Sequence, residues 1–212
     1  MSFDTLIPDA RAFLSELAAN NSRDWFAAQK ARYDSRLKRP ALLLLDDVAA
    51  RLARLTGSAT AVKLFRPQRD LRFSADKTPY HTHLHLLWTG GDGAQWFFGI
   101  SPDYVTCGAG RMGFDKAQLA AYRAGLPARG PALQAELDAL AGAGARLSDP
   151  DLARPAPPIA ADDPLAGLAR RKSLAVWFDD LPAPPPALPE RLMADFSRLR
   201  PMQQALSALL GP

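Results

Sequence analysis

The chain has 212 residues, 48% apolar and 23% charged, which supports one hydrophobic core and excludes a disordered or collagen-like chain. Lys and Arg outnumber Asp and Glu by 26 to 22, and a net charge of +4 is too mild for a dedicated nucleic-acid binder. One cysteine, Cys107, rules out an internal disulfide and fits a reducing compartment. No apolar run approaches the roughly 20 residues of a membrane span, and MSFDTLIPDA lacks a signal-peptide pattern, so a cytoplasmic protein without membrane contact is expected.

The first third reads as helices. Phe13, Leu14 and Leu17 recur at helical spacing after Pro8-Asp9. Asn21 or Ser22 caps a second helix with Asp24 in its first turn, where an anion suits the helix dipole. That helix carries Trp25, Phe26 and Tyr33 and should end near Pro40, because proline disfavours helix in the residue before it. A third helix over 41–55 places Leu44, Leu45, Val48 and Leu52 on one stripe.

The middle third changes period. Residues 62–73 look extended, interrupted by Pro67. Residues 81–89, the turn Gly90-Gly91-Asp92-Gly93 and residues 95–101 form a hairpin signature. Parity puts Leu84, Leu86 and Trp88 on a core face with Trp96, Phe98 and Ile100, and sends His81, His83 and His85 to the opposite face. A short strand over 104–106 should precede a glycine turn, Gly108-Ala109-Gly110.

Asp115 caps the next predicted helix, with Leu119 and Tyr122 buried. Residues 142–163, rich in Ala, Pro and Gly, read as a long surface loop, and 172–178 as a strand. A proline-rich connector over 183–189 leads to a helix holding Leu192, Phe196 and Leu199, and then to a final helix over 202–210. Helices, then strands, then helices argue for one α+β domain over 1–212. Its mainly antiparallel sheet comes from the central third and is covered by the N- and C-terminal helices.

The chemistry concentrates in FRPQRDLRFSADKTPYHTHLHLLW, residues 65–88. Arg66, Arg69, Arg72 and Lys77 face only Asp70 and Asp76 there, a surplus of cations suited to carboxylate or phosphate. The expected ligand set is Arg69, Arg72 and Lys77 for charge, with Tyr80 and His83 donating hydrogen bonds. Asp70, Asp76, Asn21, Trp25, Arg66 and Arg111 would hold that set in place. The competing reading is a closed ion-pair network that only fixes the fold.

Three histidines on one strand face resemble a metal site, but His81 and His85 would stand about 13 Å apart at roughly 3.3 Å per residue. At most two could share one ion, so no metal and no cofactor is expected. Cys107 has no neighbouring histidine, and Arg170-Arg171-Lys172 reads as a solvated face. No GxSxG, HExxH, CxxC or kinase motif is present.

NNSRDWFAAQKARY, RPQRDLRFSADKTPYHTH, GRMGFDKAQLAAYR and DDPLAGLARRKSL together resemble, in order, the bacterial and fungal family labelled domain of unknown function 2461. The resemblance falls on Asn21, Arg23, Trp25, Phe26, Arg69, Asp70, Arg72, Phe73, Asp76, Lys77, Pro79, Tyr80, His83 and Lys172. The family more often has lysine where His81 stands, and His85 is particular to this chain. The resemblance implies a fold and brings no activity with it. The function expected is therefore binding of a small anionic ligand. Alternatives are a hydrolase or phosphoryl-handling enzyme using His83 with Asp70 or Asp76, a nucleic-acid-associated module, and a structural or interaction domain.

Overall fold

An apolar stripe needs an opposing surface, and in this chain the three longest helices find one in the sheet or in each other. The computed structural model describes residues 3–72, 75–179 and 188–211. Phe73 and residues 183–187 of the expected connector lie outside the described residues.

Helix α1 (Leu6–Ala19) buries Leu6, Ala10, Phe13, Leu14 and Leu17. It starts two residues before Pro8, which fits a first turn because its missing N–H has no helical partner there. Ser22 caps α2 (Arg23–Tyr33), its hydroxyl accepting the Trp25 N–H at 3.3 Å. The break expected at Pro40 does not occur. A π-helical turn, Asp34–Lys38, passes directly into α3 (Arg39–Thr56), and Pro40 falls in the first turn of that helix. Leu44, Leu45, Val48 and Leu52 are buried, and Gly57 ends α3 in the left-handed conformation, φ 74°.

The strands are β1 (Thr60–Leu64), β2 (Leu84–Gly90), β3 (Gln95–Ile100), β4 (Val105–Arg111), β5 (Arg146–Leu147) and β6 (Leu174–Phe178). They form an antiparallel sheet in the order β1-β2-β3-β4-β6-β5. The hairpin register pairs Leu84 with Ile100, Leu86 with Phe98 and Trp88 with Trp96, and all six side chains are buried. Strand β4 is longer than expected, and Gly108-Ala109-Gly110 lies inside it rather than in a turn. Register with β6 explains the glycine: a Cβ at Gly108 would run into the Val176 carbonyl and the Trp177 ring.

Helix α4 (Lys116–Gly142) opens on a capping box between Asp115 and Gln118 and runs through Pro127 and Pro131. Tyr122 is fully buried; Leu119, expected beside it, is only half-buried. The span 142–163 is not wholly loop, since Gly142 ends α4 and β5 lies within it. After the short α5 (Ala166–Ala169) and β6, helix α6 (Leu188–Leu210) continues through Pro201, where two helices were expected. Its buried stripe runs unbroken from Leu192 through Phe196 and Leu199 to Met202 and Leu206. Tertiary burial outweighs the one backbone hydrogen bond that proline cannot make.

Helices α3 and α6 cover the sheet face that carries Trp88. The Trp88 indole donates to the Leu45 carbonyl at 2.9 Å and meets Phe196 edge-on at 5.7 Å. From the same face the Cys107 thiol approaches Asp195 of α6 at 3.7 Å. Among the described residues no helix is long and apolar enough to cross a membrane.

Candidate functional site

Beyond Leu64 the chain leaves the sheet as a two-stranded arm. The Phe65 N–H donates to the His85 carbonyl (3.0 Å), His81 to Pro67 (2.7 Å) and Arg69 to Pro79 (2.9 Å), so 65–69 and 79–85 continue the β1–β2 ladder. Pro67 accepts without needing to donate, which an edge position permits. Asn21 ties the arm to the α1–α2 corner: its amide donates to the Tyr80 carbonyl (2.9 Å) and accepts the Tyr80 N–H (3.1 Å). The Tyr80 ring stacks on Phe26 at 4.1 Å, and Trp25 packs on Phe13 at 5.5 Å in the same aromatic cluster. Asn21, and Phe26 beneath the Tyr80 ring, thus anchor the arm to the helices, while Trp25 packs within the helical cluster behind them.

At the tip, carboxylates fold the backbone and hold the arginines. Asp70 accepts the Arg72 N–H and two guanidinium bonds at 2.9 and 2.6 Å. Asp76 accepts the Thr78 N–H and hydroxyl, at 2.9 and 2.8 Å, and pairs with Arg69. These are Asx turns with an ion pair added. The Thr78 bonds, then Arg69, draw the Asp76 carboxyl down to about 2, and Arg72 lowers that of Asp70. Lys77 donates to the Leu71 carbonyl at 3.1 Å. Arg69, Arg72 and Lys77, the cations expected to meet a ligand, are all engaged within their own segment.

The histidines form a continuous stack. Ring centroids lie 4.8 Å apart for His81 and His83 and 3.7 Å for His83 and His85, with interplanar angles of 27° and 12°. Each end is tied. Arg69 Nε donates to His81 Nδ1 at 3.3 Å, and His85 Nε2 lies 2.7 Å from the Tyr104 hydroxyl. The Arg69 bond makes Nδ1 an acceptor, so neutral His81 carries its proton on Nε2. Gly99, opposite His85, supplies the room: a Cβ there would sit 3.0 Å from the His85 ring and 3.3 Å from Tyr104. Among the described residues His83 makes no hydrogen bond. Near-parallel rings aim their nitrogens side by side rather than at one point, and among the described residues no group of three or more metal-ligating side chains is placed to hold an ion.

Burial lowers the pKa of all three imidazoles, and positive neighbours lower it further. His83, beside His81 and Arg69, falls to about 4, and His85, beside His83 and His81, also to about 4. His81 is lowered by burial and Arg69, against an opposing pull from Asp76. The stack is therefore neutral at pH 7.

A cleft of about 510 Å³ opens beside the stack, lined by Lys63, Phe65, Arg66, Asp70, His81 and His83 among others. Of the expected ligand residues only His83 lines it. Lys63, which sequence reasoning missed, lies opposite Leu87 on the outward sheet face, and its ammonium sits 4.5 Å over the Phe65 ring. The alternation of Lys63 and Phe65 was the available signal. Among the described residues neither Lys63 nor Arg66 has a carboxylate at ion-pair distance. Arg66 acts on Asp70 only through its longer-range field.

Other candidates lie elsewhere. Arg111 is at the far end of the sheet, its guanidinium against Gly93 in the β2–β3 turn. Cys107 is buried, and desolvation followed by Asp195 pushes its thiol pKa up, away from a reactive thiolate. Arg171, expected on a solvated face, is buried and donates to the Ser148 carbonyl at 2.6 Å. The Lys172 backbone joins Phe114 and Asp151, remote from the arm. Among the described residues neither Asp70 nor Asp76 hydrogen-bonds His83, so the His–Asp pairing of the enzyme reading is not assembled.

Comparison with curated proteins and with solved structures finds no match. A family model does match residues 9–204, nearly the full length and including the arm, the histidine stack and the helices that hold them. On that match the chain belongs to the family described as conserved hypothetical protein (DUF2461).

Proposed function

We propose that the chain binds a small phosphate- or carboxylate-bearing ligand in the cleft between β1 and the histidine stack, inside a reducing, cytoplasmic compartment. The observation that carries this reading is the pair Lys63 and Arg66, both lining the cleft and neither ion-paired among the described residues. Neutral His81, with its proton on Nε2, and His83 add uncharged donors, and Phe65 gives the cleft an apolar wall. Arg69 and Arg72, expected as direct ligands, instead stiffen the arm through Asp76 and Asp70. Two cations and a mild overall charge suit a small anion better than a nucleic-acid strand.

Titration with inorganic phosphate, followed by amide chemical shifts, tests this. Saturable shifts should cluster at Lys63, Arg66, His81 and His83. Lys63→Ala and Arg66→Ala should each weaken binding about tenfold, the worth of one charge-assisted hydrogen bond. Shifts that fail to saturate, or persist unchanged in both variants, would overturn the reading.

A further inference from the structure

Of the three stacked imidazoles, two are committed. His81 Nδ1 accepts from Arg69, and His85 Nε2 contacts the Tyr104 hydroxyl. His83, between them, makes no hydrogen bond among the described residues and lines the cleft. We infer that the cleft takes up one proton with its anion, and that the proton lodges on His83. The inference rests on the anion-binding reading above and extends it to the charge state of the bound complex.

The argument is electrostatic and geometric. The charged and titratable groups facing the stack are Lys63 from β1, then Arg66, Arg69, Asp70 and Asp76 from the arm, and Tyr104 from the β3–β4 turn. The cations outnumber the carboxylates in this set, and both carboxylates are already paired with arginines. Without an anion, burial first, then His81 and Arg69, hold His83 neutral. An anion between Lys63 and Arg66 reverses the local field, and an opposite charge at close range raises an imidazole pKa by about 1–3 units. Only one ring charges, because a second imidazolium at 3.7 or 4.8 Å would face a like charge in contact. His81 is the poorer recipient, since protonating its Nδ1 would break the Arg69 bond and set two cations face to face. The ligand class favoured is a dianion, whose stronger field drives the uptake furthest.

Sulfate is the probe, because it remains a dianion across the pH range in which histidine titrates. Calorimetry of sulfate binding at pH 5, in buffers of different ionisation enthalpy, should report close to one proton taken up per sulfate. Affinity should rise about tenfold from pH 7.5 to pH 5 if binding raises the imidazole pKa by about two units. His83→Gln should bind sulfate with a heat independent of buffer and with a flattened pH profile. Buffer-independent binding by the wild-type chain would overturn the inference and leave the anion reading standing. No sulfate binding at any pH would remove the anion reading itself, and the inference with it. Should His83→Gln fail to fold, the imidazole nitrogen shifts of the wild-type chain decide the matter. A His83 pKa that does not move at saturating sulfate overturns the proposal; one that rises supports it.

Discussion

On one side of β2, Leu84, Leu86 and Trp88 are at most 2% exposed beneath α3 and α6. On the other, His85 and, one ladder step on, His83 and His81 stay partly open beside a cleft. Alternate residues of one strand meet an apolar interior and a cationic surface a few ångströms apart. The buried face is held by packing, so a change there should be read in stability. The open face is held by pairings at its ends, Arg69 at one and Tyr104 at the other, so a change there should be read in charge and binding.

That division can be broken first at Trp88. Trp88→Ala removes one of the two tryptophans of the covered face together with its bond to Leu45, and should cost about 3–5 kcal/mol in a urea titration. A loss below about 1 kcal/mol would show that the core relaxes around the site and that the contrast is weaker than the burial implies.

The open face predicts a smaller loss that depends on pH. The folded-state pKa values of His83 and His85 are depressed to about 4, below the ordinary 6.5, so the unfolded chain binds protons that the folded chain refuses. Stability should be complete above pH 6.5 and fall as pH drops towards about 4. The loss is on the order of 2–3 kcal/mol once partly exposed His83 is discounted for solvent screening. Thermal melts across that window check it; a flat profile would mean the stack titrates as free imidazoles do.

Asn21 joins the two regions, because its amide makes both bonds to the Tyr80 backbone. Asn21→Ala should cost about 1–2 kcal/mol and speed hydrogen exchange in the arm more than in β3 and β4. Equal acceleration in both would show that arm and sheet open as one unit. The smallest effect on stability belongs to Lys63→Ala, within about 0.5 kcal/mol of wild type, even though it removes half of the cleft's unpaired positive charge. A large destabilisation would recast Lys63 as a structural side chain riding on Phe65.

Local signals settled much of this fold. The Asp115 cap and the β2–β3 register each follow from a few neighbouring residues, because capping and pleat parity are short-range geometry. The same signal narrowed the α2 cap to Asn21 or Ser22, and the fold gives it to Ser22. The prolines misled for the opposite reason. Pro201 carries a local penalty, but α6 recovers more by extending a buried stripe past it, a gain that exists only once the opposing surface is in place. Pro40 instead sits in the first turn of α3, where a missing N–H is tolerated, and a π-helical turn joins that helix to α2. Gly108 likewise reads as a turn until β6 is laid against it.

The site divides in the same way. Composition alone established that cations outnumber carboxylates in 65–88, and alternation established that three histidines share a face. Which cations remain available depended on pairing in space. Arg69 and Arg72 are consumed by aspartates within seven residues of them, while Lys63, outside the motif, is carried to the cleft by the β1–β2 register. Charge is counted along a chain, but its neutralisation is decided by distance, and only the folded backbone sets distance.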